Sequence, residues 1–170
     1  MSVPLKPYEE RPYRLGVGLM LVNAKNQVFV AQRLDTSDPA WQMPQGGVDE
    51  GESVIDAAFR ELEEEIGTNK AEFIACLEEW ISYDLPSSLI DKVWQGAYRG
   101  QKQKWIALRF VGDVSDICVH TEHPEFSHWR WVEACELPSL ATFFKRALYE
   151  TVLEKLWPLV LQAACKNDGE

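Results

Sequence analysis

The sequence predicts an α+β domain in which a mixed β-sheet lies between helical layers. Three observations carry this. Apolar, β-like runs stand on both sides of one early amphipathic helix. The C-terminal stretch is mainly helical. No repeat and no Gly/Ser/Pro linker divides the 170 residues, a length suited to one domain. A single domain over 1–170 is expected, with its core at about residues 13–160. Hydrophobic residues make up 46% of the chain, enough for a packed core and too many for disorder.

The elements follow in order. Residues 16–23 are apolar and β-like, and residues 27–33 follow after Ala24-Lys25-Asn26, so the two runs read as a hairpin. Residues 35–51 contain Pro39, Pro44, Gly46, Gly47 and Gly51 and read as loop. A helix is expected over 53–66. Ser53 suits the N-cap, Asp56 stands three residues on in a variant of the capping box, and Gly67 is the stop. Residues 72–83, 103–111 and 128–132 are strand-like. Residues 140–165 are helical, with Pro158 expected to break or bend the helix.

Composition excludes several functions. The net charge is -10, which disfavours indiscriminate binding to nucleic acid, double-stranded DNA included, or to anionic membranes. No apolar run is long enough for a bilayer, and residues 1–14 have the charge and proline of a chain start without a secretory core. Cys76, Cys118, Cys135 and Cys165 are widely spaced and form no CxxC pair, so they read as reduced thiols of a cytoplasmic protein. The charge is uneven. Residues 49–65 hold eight acids and one base, Arg60; residues 92–112 hold five bases and no acid. A carboxylate-built metal site raises the acid count and still binds phosphate, because cations bridge the two.

The acids concentrate on the early helix. With Val54 at zero and about 100° per residue, Val54, Ile55, Ala58, Phe59, Leu62 and Ile66 form the buried stripe. Glu61, Glu64 and Glu65 share one arc of roughly 100°, and Glu63 falls about 180° from Val54, away from them. Three carboxylates at helical-neighbour spacing repel one another unless a counterion joins them. Oxygen-only ligation suits Mg²⁺ or Mn²⁺ better than zinc. A solvated acidic face is the other reading of the triplet alone.

From Gly46 the chain reads Gly46, five residues, Glu52, seven residues, then Arg60-Glu61-Leu62-Glu63-Glu64-Glu65-Ile66-Gly67. This resembles the Nudix box, G-x5-E-x7-R-E-U-x-E-E-x-G-U, at every position but the last, where Thr68 replaces an aliphatic residue. The resemblance implies a Nudix hydrolase: an α/β/α sandwich that cleaves nucleoside diphosphates linked to another group. It implies that Glu61, Glu64 and Glu65 hold two or more Mg²⁺ or Mn²⁺ ions, with Gly46 at the metal site and Gly47 letting the loop approach. It also implies that Glu52 pairs with Arg60 and braces the loop. Glu61 is the first choice of general base.

Further stretches resemble the bacterial RNA pyrophosphohydrolases and, equally, the dinucleoside polyphosphate hydrolases of plants and of the bacterial invasion-associated group. These are Trp41 through Gly47, Tyr83-Asp84-Leu85-Pro86, Gly100 through Trp105, Pro124-Glu125-Phe126 with Trp129-Arg130-Trp131, and Phe144-Lys145-Arg146. By that resemblance Glu125 is a fourth acid at the metals, and Arg14 and Lys145 contact phosphate. Arg33, Tyr83 and Phe144 are candidates to hold a base, since a guanidinium and an aromatic ring can sandwich a purine. Period-two alternation places Lys102 and Lys104 on one side of their strand, where they would hold distal phosphates or protect an edge. His120, His123 and His128 lack the cysteines of a zinc site. The leading expectation is removal of pyrophosphate from 5′-triphosphorylated RNA. The alternatives are asymmetric cleavage of a dinucleoside polyphosphate, clearance of a damaged mononucleotide, and a silent binding module. The module is disfavoured because all three helix acids are present. Oligomeric state is not legible in the sequence.

Overall fold

The computed structural model describes residues 4–167; residues 1–3 and 168–170 of the expected 1–170 domain lie outside the described residues. Seven strands form one mixed sheet. They are β1 (Tyr13–Val22), β2 (Val28–Arg33), β3 (Gln45–Gly47), β4 (Ala71–Cys76), β5 (Ile81–Asp84), β6 (Gly100–Phe110) and β7 (Phe126–Val132). The principal order is β4-β6-β1-β2-β7, with β3 on β1 and β5 on β6. β1 and β6 run parallel from Tyr13↔Gly100 to Val22↔Arg109, and the remaining pairings are antiparallel.

Period-two alternation sends the two faces of the central strands to two cores. Val17, Leu19 and Leu21 of β1, with Ile106 and Leu108 of β6, pack on Ala57, Ala58, Leu62 and Ile66 of α1 (Val54–Ile66). Met20 and Val22, with Trp105 and Ala107, face Tyr149, Val152, Leu156 and Val160 of α3 (Arg146–Asn167). A one-turn helix, α2 (Leu137–Leu140), precedes α3. The sheet thus lies between α1 and α3, the layered α+β arrangement expected. Among the described residues no helix is long and apolar enough to cross a membrane.

The hairpin forms as expected, closing at Val22↔Val28, with β1 starting earlier than its apolar run. Three expectations are corrected. The strand expected over 72–83 is two strands, because the chain leaves the ladder at Leu77–Trp80 and Lys104 reaches the carbonyls exposed there. The helix expected from residue 140 begins at Arg146, because Ala141 is extended and a 3-10 turn, Phe143–Lys145, intervenes. Of the break or bend expected at Pro158, the break does not occur: α3 continues to Asn167. The lost backbone donor is outweighed by Val152, Leu156 and Val160, fully buried on both sides of the proline.

Candidate active site

Helix α1 carries the acids and is fixed at both ends. Ser53 accepts a hydrogen bond from the Asp56 amide at 3.1 Å. Gly67 adopts φ 82°, and its amide donates to the Glu63 carbonyl at 3.0 Å; a residue with a Cβ is strained there. Thr68 is buried, and its hydroxyl accepts the Lys70 amide, so the departure from an aliphatic side chain leaves no orphaned polar group.

Arg60 joins loop to helix. Its Nε donates to Glu52 Oε2 at 2.8 Å and its Nη2 to Glu52 Oε1 at 2.9 Å. Nη2 also donates to the Gly47 carbonyl at 2.9 Å, and Nη1 to Glu61 Oε1 at 2.9 Å and Glu64 Oε2 at 3.3 Å. The guanidinium beside Glu52 holds that carboxyl down at about 2.

Glu61 and Glu65 are buried, whereas Glu64 is 59% exposed and Glu63 faces solvent. Burial raises the Glu61 carboxyl above its ordinary range, partly offset by Arg60. Burial raises Glu65 well above that range, with Glu125 and Glu61 adding and Arg33 opposing. Glu65 Oε2 is buried without a hydrogen-bond partner. Gly46 lies against Glu61, and a Cβ there would collide with the Glu61 carboxyl group. Among the described residues, no three acid, imidazole or thiol side chains are already drawn together as a cation cage. The orphaned oxygen, the oxygen-only donor set and the close approach at Gly46 nevertheless suit a hard divalent cation, which removes the repulsion between these acids.

A cavity of about 560 Å³ is lined by Arg33, Gln45, Tyr83, Trp94, Phe144 and Lys145, among others. Tyr83 and Phe144 tilt together at 6.0 Å, with the Lys145 ammonium 5.5 Å from the Tyr83 ring and 6.0 Å from the Phe144 ring. Burial, with Arg33 adding to it, pulls Lys145 down to about 7, against the opposing pull of Glu65 and Asp35. Arg33 forms a fork on Asp35, 2.7 Å from Nε and 2.5 Å from Nη2, which keeps it charged. Arg14 stands 5.3 Å from the Trp94 ring and alongside Gly47.

The structure brings Gly46, Gly47, Glu52, Arg60, Glu61 and Glu64 into one cluster, with Glu65 beside Glu61, Glu125 and Arg33. It places Arg33, Tyr83, Phe144 and Lys145 on the cavity wall. It does not bring Lys102 and Lys104 there. Lys102 is exposed. The Lys104 ammonium binds the carbonyls of Leu77, at 3.3 Å, and Glu78, and lies 5.6 Å from the Trp80 ring.

The alternate residues of the same strand do reach the cavity wall, through Gln45. Gln103 donates to Gln45 at 3.0 Å and to Gln101 at 2.8 Å, and the Tyr83 hydroxyl donates to Gln101 at 3.3 Å. Lys145 donates to Gln45 at 3.3 Å. Sequence reasoning missed these glutamines. They alternate with Trp105 and Ala107, but Ile106 and Leu108 make the other side of β6 equally buried, so alternation alone did not single them out. It also missed Trp94, a cavity residue with φ 51° that no local pattern announces.

Comparison with known proteins is consistent with this geometry. A model of the NUDIX domain matches residues 12–152. The chain is 52% identical over 153 residues to the RNA pyrophosphohydrolase of Rickettsia typhi (strain ATCC VR-144 / Wilmington), covering 90% of this chain and 95% of that protein. It is 52% identical over 155 residues to the RNA pyrophosphohydrolase of Sphingopyxis alaskensis, covering 90% and 98%. Among solved structures, the E. coli dihydroneopterin triphosphate pyrophosphohydrolase matches with TM-score 0.64 at 21% identity, over 83% of this chain and 97% of that one. The C. elegans Ap4A hydrolase matches with TM-score 0.57 at 21% identity, over 87% and 98%. At such identity these two likenesses bear on the fold alone.

Proposed function

Since the chain belongs to the NUDIX family, we propose that it removes pyrophosphate from the 5′-triphosphate end of RNA. The oxygen of water bonds to phosphorus, the anhydride P–O bond breaks, pyrophosphate leaves and a 5′-monophosphate remains. The curated relatives at about half identity support the RNA substrate. The observation that carries the chemistry is Glu65 Oε2, buried without a partner beside Glu61 on the helix of the box. A carboxylate kept in that state is poorly placed for stability and well placed for a cation.

Hydrolases of this family use divalent metal ions. The residues that would hold them are Glu61, Glu64, Glu65 and Glu125, with Gly46 at the site, and the ions would be two or more Mg²⁺ or Mn²⁺. Bound there, such ions neutralise phosphate charge and favour ionisation of water. The chain's own residues do the rest. Glu61, its carboxyl raised by burial, is the proposed proton acceptor from water. Arg60 holds Glu61 in place through its bond to Oε1. Arg33, Tyr83 and Phe144 hold a nucleobase, and Arg14 and Lys145 meet the phosphates. Lys102 is exposed and lies off the cavity wall, and Lys104 is occupied by carbonyls, so neither is assigned to the distal phosphates. The exposed thiols of Cys118, Cys135 and Cys165 are free and support a reducing, cytoplasmic setting.

The test compares kcat/KM on a short triphosphorylated RNA and on diadenosine tetraphosphate under one Mg²⁺ condition. Release of pyrophosphate with a 5′-monophosphorylated RNA is expected. Cleavage of the dinucleotide with the RNA left intact would overturn the proposal in favour of dinucleoside polyphosphate hydrolysis.

A further inference from the structure

The 3-10 turn Phe143–Lys145 puts three neighbouring side chains in three environments. Lys145 is buried, Phe144 lines the cavity, and Phe143 points outward, 70% exposed. Phe143 is the most exposed large hydrophobic side chain among the described residues. Its ring meets that of Phe144 edge to face, with centroids 5.5 Å apart. The turn is held firmly. The Thr142 hydroxyl donates to Asp38 Oδ2 at 2.9 Å, and the Lys145 amide donates to the Thr142 carbonyl at 3.0 Å. Arg146, the first residue of α3, is exposed and forms no ion pair among the described residues.

A lone surface phenylalanine needs no explanation. This one continues an aromatic wall out of a cavity, on a fixed turn. From that continuity we infer that Phe143 is a stacking subsite for the nucleobase that follows the one held on Phe144 in single-stranded RNA. The inference rests on the RNA reading above. Stacking on an aromatic face is indifferent to base identity, so the subsite confers a length preference without a sequence preference. A dinucleoside polyphosphate carries its second nucleoside across the phosphate chain and has no base in that position.

The experiment measures kcat/KM with Mg²⁺ on triphosphorylated RNAs of increasing length and on diadenosine tetraphosphate. It uses the wild type, Phe143→Ala and Phe143→Trp. The alanine variant is expected to match the wild type on the shortest RNAs and on the dinucleotide. Its activity is expected to fall about fivefold to tenfold once the RNA extends one nucleotide past the base in the cavity. Phe143→Trp retains the length preference. In parallel, 5′-monophosphorylated RNA carrying 2-aminopurine at successive positions should show one position quenched by the wild type and by Phe143→Trp, but not by Phe143→Ala. Equal loss at every length overturns the subsite and makes Phe143 a buttress of Phe144. No loss at any length overturns it and leaves the ring to a protein partner. A wild type that leaves every RNA intact overturns the RNA reading itself, and the subsite with it.

Discussion

Arg60 holds Glu52 through both carboxylate oxygens, at 2.8 Å and 2.9 Å, across eight residues of chain. The same guanidinium reaches Glu61 at 2.9 Å, so the brace of the loop and the position of the proposed catalytic base depend on one side chain. Arg60→Lys keeps the charge and loses the fork. It is expected to lower kcat by about 10–100-fold with little change in KM, the range typical of a residue that orients a ligand. Glu52 adds a pH signature. Its folded-state carboxyl titrates at about 2, below the ordinary 4.5, so its contribution is complete above about 4.5 and lost as pH falls towards 2. Melting curves from pH 5 to pH 2 should fall less steeply for Glu52→Gln than for the wild type.

Gly46→Ala places a methyl group where the Glu61 carboxyl lies. The backbone there needs no left-handed conformation, so the fold should survive. Displacing a reacting group by about 1 Å costs on the order of 100-fold. A loss of that size in kcat, with Tm within a few degrees of wild type, is the expected result. Full activity would mean that Glu61 works from another position.

Glu65→Gln replaces a buried carboxyl that has an oxygen without a partner. In EDTA the variant should melt at or above the wild-type temperature, because an uncompensated buried carboxylate is costly. The wild type should gain stability on adding Mg²⁺ and the variant much less. Turnover should be lost in the variant. A Mg²⁺-induced rise in Tm equal to that of the wild type would remove Glu65 from the cation site.

Lys145 supplies a second pH signature, at neutral pH. It titrates at about 7 in the folded protein, against an ordinary 10.5. Its charge, proposed to meet phosphate, is therefore lost as pH rises through 7, and KM should climb between pH 6 and pH 8. Lys145→Met should raise KM at pH 6 and flatten that climb. The unfolded chain keeps the proton between about 7 and 10.5 after the folded chain has released it, so this group makes the protein more stable as pH rises through that window. A KM independent of pH in the wild type would remove the ammonium from the phosphates.

What the sequence made legible was local. Ser53, the buried stripe and Gly67 are set by spacing along one helix, and the Glu52–Arg60 pair is what the resemblance to the box implies; the structure has the cap, the left-handed stop and the fork there. What stayed hidden depends on pairing between distant segments. Which side of β6 faces the cavity was not readable from alternation alone, so Lys102 and Lys104 stood out while Gln101 and Gln103 did not. The break at Leu77–Trp80 is defined by a lysine arriving from another strand. Pro158 carried a local warning that the buried residues around it overrode.

The proposed hydrolytic elements, Glu125 apart, are contiguous, from Gly46 to Gly67, and are tied to one another by the Ser53 cap and the Arg60 fork. The cavity wall comes instead from Arg33, Tyr83 and Phe144, side chains far apart in the chain and outside that segment. Selection can therefore redraw what enters the cavity by exchanging residues on strand ends and one short turn, while the bond-breaking segment stays untouched. A scaffold divided this way is suited to acquiring new specificities without relearning its reaction.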